Sequence, residues 1–295
     1  MTGVLVIGEA LVDVVRDGGS ESRHAGGSPM NVAYGLAQLG VDAQLLTRLG
    51  RDSNGALIER HLYGAGVRLL PASLRDEPTS TAIATIGVDG SATYDFNVSW
   101  DLPPIETHAP RWVHVGSIGT FLTPGADSVE RFLEIYEGRV SYDPNIREAL
   151  MPADARERFE RIARLATVLK LSDEDARWLY PDLDDVIDVL LALGPSVVAL
   201  TRGAGGATIA SADERLDVPA VRVEVKDTVG AGDSFMAALI ASLLEDKPLD
   251  AAAATAVAAA AITVSRVGAQ PPTRAELDAA TAPQQSAARG RRARG

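Results

Sequence analysis

Residues 227–235 read DTVGAGDSF and place glycines and carboxylates directly before an apolar pattern of helical period. Phe235, Leu239 and Leu243 recur at every fourth position, which predicts a helix that begins at or just after the glycines. The start of a helix carries unpaired N–H donors and the positive end of the helix dipole. Residues 230–233 are therefore predicted to form a cradle for a phosphate group or a developing anion.

The carboxylate at the end of this cradle has two interpretations. Asp233, in the first turn of a helix, is typical of a charge that caps the helix, and for an isolated GAGD segment this is the commoner role. Beside an anion hole made by Gly230, Ala231 and Gly232, the same carboxylate is suited to act as a general base. Such a pairing serves the transfer of a phosphoryl group to a hydroxyl.

A second glycine-containing loop precedes a helical pattern at residues 26–40, GGSPMNVAYGLAQLG. Pro29 falls where the first turn of a helix tolerates proline, and Gly40 fits a helix end. Gly26 and Gly27 allow a ligand to approach the backbone closely. Asn31 offers both a donor and acceptors. A glycine pair before a helix is usually only a connection, but two such loops in one chain favour a site for two substrates.

The elements that must position these loops alternate along the chain. Short runs rich in β-branched residues are separated by helix-length segments, which predicts parallel βαβ units in a layered α/β fold. The predicted strands are VLVIG, AQLLTRL, WVHVGS, VSYDP, TVLKLS and VVALT, and the predicted helices are 29–39, 54–64, 126–137, 153–165 and 173–193. Residues 80–98 depart from this order, because two alternating runs flank Asp89-Gly90 and predict a hairpin. The pattern alone suits an edge ribbon and a lid equally well.

Composition limits the classes of protein to consider. The chain has 295 residues, 46% of them hydrophobic, enough for one large domain or a domain with a small appendage. A formal net charge of -12 argues against a general nucleic-acid-binding or membrane-surface-binding protein. The absence of cysteine excludes disulfides, thiolate zinc sites and cysteine nucleophiles.

The ends of the chain carry weaker signals. The first residues lack the basic segment of a signal peptide, so a cytoplasmic location is expected. The alanine-rich run 251–264 is too short for a membrane span and predicts a buried helix. The basic tail, 284–295, is expected to be disordered.

The segments GGSPMNVA and DTVGAGDSF resemble the two signature segments of the PfkB, or ribokinase-like, family of carbohydrate kinases. The likeness extends from VIGEALVD through SYDPNIR, VLKLSDEDA and LTRGAGGA to AAAAITVSRVGAQPPT, nearly the whole chain. The resemblance implies an α/β, ribokinase-like three-layer sandwich with a mostly parallel central sheet and a small β-sheet lid. The kinase domain would span residues 1–283, with lid segments at about 12–24 and 80–98, and a homodimer formed through the lid is a further expectation.

The resemblance also implies roles for individual residues at the sugar end of the site. Asp233 matches the base that takes the proton from the sugar hydroxyl, and the three residues before it match the anion hole. Asp13, expected at the end of the first strand, matches a carboxylate that binds sugar hydroxyls. The sugar-contacting loop is matched by Gly26, Gly27 and Asn31. Arg147 is expected to steady a phosphate or a sugar carboxylate, although an arginine after a strand is otherwise commonly a surface charge.

The nucleotide end is implied in the same way. Thr201, Gly203 and Gly206 match the loop beside the ribose and phosphates of the nucleotide. A short turn between two strands would also explain the two glycines. Lys170 and Gly232 are expected to contact the nucleotide. In the family, an Asn-x-x-Glu motif contacts magnesium through water. Here Ser172 stands for the asparagine and Asp175 for the glutamate, and the shorter carboxylate of Asp175 puts the metal role in question. Asp227 and residues 261–269 resemble a monovalent-cation loop, which implies K⁺.

The predicted activity is ATP-dependent phosphorylation of a sugar with Mg²⁺, which needs positioning and charge stabilisation but no covalent intermediate. The motifs resemble most the branch of fructokinases and 2-keto-3-deoxygluconate kinases, and fructokinase, converting D-fructose to fructose 6-phosphate, is the favoured interpretation. The keto-deoxy acid kinase becomes better if Arg147 faces a sugar acid. A dinucleotide-dependent oxidoreductase is disfavoured, because GEALVD follows the first strand where G-x-G-x-x-G would be needed. A catalytically silent, sugar-binding relative stays open.

Overall fold

A nine-stranded sheet forms the centre of the protein, whose computed structural model describes residues 3–87, 91–103, 105 and 110–282. In spatial order the strands of this sheet are β15 (Arg215–Val218), β14 (Ala207–Ala210), β13 (Val197–Thr201), β12 (Val168–Ser172), β11 (Arg139–Asp143), β10 (Trp112–Gly116), β1 (Val4–Ile7), β4 (Ala43–Leu46) and β6 (Arg68–Leu69). Neighbouring strands pair parallel, except that β14, next to one edge, pairs antiparallel with both β13 and β15.

Helices cover both faces of this sheet. The described helices are α1 (Ser28–Gln38), α2 (Ser53–Ala65), α3 (Gly125–Ile135), α4 (Ala155–Leu165), α5 (Asp173–Leu179), α6 (Ile187–Leu193), α7 (Ala231–Leu244), α8 (Leu249–Val264) and α9 (Arg274–Thr281). One hydrophobic core joins the sheet to α1, α2, α7, α8 and α9, and the other joins it to α3, α4, α5 and α6. Strands buried on both faces read as continuous apolar runs, as in β1. The predicted three-layer, ribokinase-like arrangement is confirmed.

A separate four-stranded sheet contains both segments that were predicted to build a lid. Its strands are β3 (Ser20–Gly26), β2 (Leu11–Asp17), β8 (Thr81–Ile86) and β9 (Ala92–Asn97), in that spatial order. β8 and β9 pair antiparallel, which confirms the hairpin, while the predicted turn at Asp89-Gly90 lies outside the described residues. The strands β5 (Leu49–Gly50) and β7 (Leu74–Arg75) form a further small pair.

Asp13 does not lie at the end of the first strand, as the sequence predicted. β1 ends at Ile7, and Asp13 belongs to β2 of the small sheet. The chain leaves the central sheet at Gly8, where a β-carbon would lie 2.3 Å from the Pro29 ring. Residues 4–17 therefore supply strands to two sheets, and Gly8 and Glu9 mark the break between them.

The predicted helix over 173–193 is also wrong, since it is divided into α5 and α6. α5 ends at Leu179, two residues before Pro181, as expected from the poor fit of the residue before a proline to helical geometry. The predicted strand over 43–49 is divided in the same way into β4 and β5.

The alanine-rich segment 251–264 is confirmed as a largely buried helix, within α8. Small side chains let α8 pack closely on α7, which is itself buried on nearly every side. Across the described ranges, no helix is both long and apolar enough to cross a membrane. The predicted disordered tail, 284–295, lies outside the described residues.

Candidate active site

Polar residues gather where the parallel strands of the central sheet end. Glu9 follows β1, Asp143 ends β11, and Lys170 lies on β12, and all three are buried. The carboxyl ends of parallel strands form the edge at which open α/β sheets bind ligands. The start of α7 meets this edge where Gly232 lies against Lys170, and the start of α1 contacts Asp233 of α7.

The glycines at the start of α7 are required by two different contacts. Gly230 precedes the helix with φ 75°, and a β-carbon there would lie 2.6 Å from the β-carbon of Ala269. A β-carbon on Gly232 would lie 2.9 Å from Nζ of Lys170, so the ammonium group sits directly against the first turn. Helix geometry leaves the amides of the first turn without intrahelical acceptors, although Ala231 N–H donates to Thr228 O at 3.3 Å. The predicted cradle therefore has backbone donors and a buried cation side by side.

Asp233 is held by two residues of α1. The Ser28 hydroxyl donates to Oδ1 at 2.7 Å, and the Asn31 amide donates to Oδ2 at 2.8 Å. The side chain is buried, and burial raises the pKa of its carboxyl, whereas both hydrogen bonds and the charges of Lys170 and Arg147 lower it. The structure thus brings together Asp233 and Asn31, as predicted, and adds Ser28, which sequence reasoning missed.

Lys170 forms a buried ion pair with Asp143, another residue that sequence reasoning missed. Nζ lies 2.8 Å from Oδ2, and the two side chains are 5% and 1% exposed. Burial raises the pKa of the Asp143 carboxyl to about 6, although Lys170 opposes the shift. Burial alone would lower the pKa of Lys170, but the carboxylates of Asp143 and Asp175 outweigh it and the pKa is raised. Oδ1 of Asp143 has no hydrogen-bond partner among the described residues.

The sugar-contacting loop predicted from the sequence lies against Asp13 and the end of β1. A β-carbon on Gly26 would lie 2.0 Å from Oδ2 of Asp13, and one on Gly27, where φ is 111°, would lie 2.6 Å from the carbonyl oxygen of Glu9. Both positions therefore need glycine for close approach. Asp13 pairs across the strands with His24, and partial desolvation raises the pKa of its carboxyl against the charges of His24 and Arg147.

Arg147 lies in the loop after β11 and acts on the candidate site through its charge. Its side chain is exposed, and its Nη1 donates to Ile146 O at 3.2 Å. Its positive charge contributes to lowering the pKa values of Glu9, Asp13 and Asp233. The predicted contact of Arg147 with a phosphate or a sugar carboxylate stays a prediction.

Glu9 is a buried carboxyl that sequence reasoning missed. Its Oε2 accepts a hydrogen bond from Gly119 N at 3.1 Å, and burial raises the pKa of the carboxyl to about 7 despite a hydrogen bond from Ser117. Ser117 has φ 52°, a strained value for a residue other than glycine. A glutamate two residues after the end of the buried strand VLVI was the available signal.

The predicted nucleotide loop forms the turn between β13 and β14. A β-carbon on Gly206, where φ is 83°, would lie 2.1 Å from Val218 O, so this glycine is explained by packing against β15. Gly203 also has a positive φ, of 49°, but its β-carbon would meet no atom within 4 Å. Thr201 Oγ1 donates to Leu171 O at 3.3 Å. Gly203 thus borders open space, as a ligand-facing position would.

The two carboxylates that were predicted to serve metals already have backbone partners. Asp175 accepts hydrogen bonds from Ile146 N, Ser172 N and Ser172 Oγ at 2.7–3.0 Å, and it forms the capping box of α5. Asp227 accepts from Val229 N and Gly268 N, which ties the loop before α7 to the loop after α8. Within the part of the chain that the structure describes, no cluster of three or more histidine, aspartate or glutamate side chains could hold a metal ion.

A carboxylate and a buried lysine at a helix start, set at the carboxyl edge of a mostly parallel sheet, define a phosphotransferase of ribokinase-like fold. The chain belongs to the pfkB family of carbohydrate kinases. The model of this family, described as pfkB family carbohydrate kinase, matches residues 1–276. It is 34% identical to a fructokinase from Klebsiella pneumoniae over 263 residues, covering 81% of this chain and 84% of the relative.

Solved structures agree with this assignment. Aminoimidazole riboside kinase from Salmonella enterica, in complex with aminoimidazole riboside and an ATP analog, matches with a TM-score of 0.80 and 27% identity over 95% of this chain and 99% of that one. A double mutant of fructokinase from Vibrio cholerae O395, bound to fructose, ADP and potassium ion, matches with a TM-score of 0.79 and 26% identity over 94% and 97%. The protein is a carbohydrate kinase, and its relatives differ in the acceptor they are named for.

Proposed function

We propose that the protein is a fructokinase, which transfers the γ-phosphoryl group of ATP to the terminal hydroxyl of D-fructose and forms fructose 6-phosphate. The observation that carries the proposal is the Asp233 carboxylate, held by Ser28 and Asn31 beside Lys170 at the start of α7. The likeness to fructokinases, including one bound to fructose and ADP, supports the choice of sugar.

In the proposed reaction, Asp233 removes the proton of the terminal hydroxyl as the oxygen attacks the γ-phosphorus. The bond between that phosphorus and the bridging oxygen breaks in line, and ADP leaves. Negative charge on the transferred group meets the backbone donors at Gly230–Gly232 and the ammonium of Lys170, both fixed before the reaction. The ion pair with Asp143 keeps that ammonium in place.

The sugar would be bound between the small sheet and the start of α1. Asp13 on the small sheet accepts sugar hydroxyls, while Gly26, Gly27 and Asn31 approach the sugar from the loop before α1. The small sheet would close over the sugar as a lid and exclude water before transfer. Gly26 ends β3 of the same small sheet as Asp13, so the two residues would move together on closure.

The nucleotide would lie along the turn at Thr201–Gly206 and the loop before α7. Val225, Val229 and Val267 are exposed by 56–70%, and the bond from Gly268 N to Asp227 keeps their two loops together. An apolar surface at this place suits an adenine ring. Asp227 and residues 261–269 would bind K⁺ chiefly through backbone carbonyls.

Magnesium would accompany ATP and neutralise charge on its phosphates. The residues present fit this ion, because Oδ1 of Asp143 is buried without a partner among the described residues and can receive a metal-bound water. The oxygens of Asp175 are already used by the cap of α5, so its contribution would be to position the loop at Ile146.

The charges around the sugar favour a neutral acceptor. The charge of Arg147 already acts on three carboxyl groups, those of Glu9, Asp13 and Asp233, and opposes the rise in their pKa values. A sugar acid would have to enter this predominantly negative group. The second candidate, 2-keto-3-deoxygluconate kinase, is favoured by one observation: the Arg147 guanidinium is exposed and donates only to a carbonyl within its own loop in the hydrogen bonds found.

A panel of acceptors tests the proposal. ADP release would be measured with MgATP and fructose, 2-keto-3-deoxygluconate, ribose or aminoimidazole riboside, and Asp233→Asn would serve as the inactive control. The proposal expects the highest kcat/KM with fructose. A higher value with the sugar acid would replace it by the second candidate. Calorimetric binding of fructose without turnover would show a catalytically silent relative instead.

A further inference from the structure

Both carboxylate oxygens of Asp233 are bonded by α1, and the two donors have different expected roles. Asn31 is expected to contact the sugar, whereas Ser28 has no role in the proposed binding of sugar, nucleotide or metal. Ser28 is the first residue of α1, is 7% exposed, and donates to Oδ1 at 2.7 Å. A buried hydroxyl with a charged acceptor has little freedom to turn elsewhere.

The packing of α1 on α7 fixes the distance between these groups. Gly35 lies four residues after Asn31 on α1, and Ala237 lies four residues after Asp233 on α7, so the two pairs occupy successive turns. A β-carbon on Gly35 would lie 2.9 Å from the β-carbon of Ala237. The helices are therefore as close as their backbones and one methyl group allow, one turn below the carboxylate.

We infer that Ser28 is a positioning residue for the general base, and that the Gly35–Ala237 contact sets the helix separation at which its hydroxyl reaches Asp233. The inference rests on the proposed function, in which Asp233 accepts the proton of the sugar hydroxyl. A carboxylate oxygen accepts more than one hydrogen bond, so Oδ1 can bond Ser28 and the sugar hydroxyl together. Ser28 thereby fixes the direction from which the remaining lone pair meets the substrate.

The hydroxyl also keeps the base ionised inside a buried site. Burial raises the pKa of Asp233, and the hydrogen bonds from Ser28 and Asn31 oppose that rise, as do the charges of Lys170 and Arg147. The charge of Asp143 acts in the opposite direction, because it and the charge of Asp233 repel each other. Loss of the Ser28 donor is expected to raise the pKa of Asp233 further, so more of the base is protonated at neutral pH.

The test compares Ser28→Ala with Ser234→Ala. Ser234 is also a buried serine, next to Asp233 in sequence, but its Oγ accepts from Thr263 and is not bonded to the carboxylate. The pH dependence of kcat with fructose and MgATP would be measured for both, together with ¹³C NMR titration of the Asp233 carboxyl, assigned with Asp233→Asn. In Ser28→Ala we expect kcat at neutral pH to fall about tenfold, the factor for one hydrogen bond to a charged group, and its acid limb to move to higher pH.

Superimposable pH profiles and titrations of Ser28→Ala and wild type would overturn the inference. The NMR titration measures the protonation of Asp233 without turnover. An inactive wild-type protein would therefore reject the proposed function, but the titration would still decide the role of Ser28. If Ser28→Ala unfolds, a second pair decides. Gly35→Ala should lower kcat more than it raises KM. The double variant Gly35→Ala/Ala237→Gly should restore kcat, because removing the methyl group of Ala237 makes room for the one added at position 35. An unchanged kcat in folded Gly35→Ala, or no recovery in the double variant, would contradict the inference.

Discussion

Gly232→Ala tests whether the start of α7 and Lys170 work together. The added β-carbon would lie 2.9 Å from Nζ, closer than the ordinary separation of about 3.5–4.0 Å. Nζ is also bonded to Asp143 at 2.8 Å and is almost fully buried, so it cannot move without lengthening that bond. The ammonium must therefore shift by roughly 0.5–1 Å away from the position where the transferred phosphoryl group develops charge.

The expected result is a folded protein with slow chemistry. Displaced charge stabilisation of this size lowers the single-turnover rate by between about tenfold and a hundredfold. Stability should change little, because replacing a helical glycine with alanine gains up to about 1 kcal/mol that offsets the steric cost. The melting temperature and the rapid-quench rate with fructose and MgATP would be measured on the same sample.

Gly64→Ala is the matched control. Gly64 lies in α2, where an added β-carbon meets no atom within 4 Å, so the same substitution should leave the rate unchanged. If Gly232 served only the turn, Gly232→Ala would lower the melting temperature and leave the single-turnover rate unchanged. An unchanged rate with a large fall in melting temperature of Gly232→Ala would refute the cradle of backbone donors and ammonium.

Two further predictions concern the lid and the buried Glu9. Saturating fructose should increase protection from hydrogen exchange in residues 80–98, because the small sheet closes over Asp13, and equal protection with and without sugar would reject the lid. Burial raises the pKa of Glu9 from 4.5 to about 7, so the folded protein keeps a proton that the unfolded chain loses, and the free energy of unfolding should fall as pH rises from about 4.5 to 7. Glu9→Gln should remove this dependence and be more stable than wild type at pH 8, by up to about 3 kcal/mol in urea unfolding, whereas parallel curves for the two proteins would contradict the assignment.

The sequence was informative where one physical pattern had one structural meaning. The apolar runs of β1, β10 and β13 predicted strands because both of their faces are buried. The stripe after the glycines of α7 predicted the helix start within a residue. The position of Asp13 was mispredicted because two apolar segments separated only by Gly8 and Glu9 do not show that the chain passes from one sheet to another between them.

The candidate site was predicted only in part, since its remaining residues depend on contacts between distant segments. Ser28 and Asp233 are 205 positions apart, and nothing in their local sequences indicates that they bond. Asp143 is the last residue of a buried strand, where a polar residue usually marks only the strand end. Its pairing with Lys170 arises because β11 and β12 are neighbours in the sheet.

The account's central claim is that Asp233 is the base of a sugar-phosphorylating site. Its most direct test is a rapid-quench measurement of fructose 6-phosphate formed in a single turnover by wild type and Asp233→Asn, with fructose binding measured on both by calorimetry. The account predicts retained fructose affinity and a rate reduced by about a hundredfold or more in the variant. Near wild-type formation of fructose 6-phosphate by folded Asp233→Asn would contradict it.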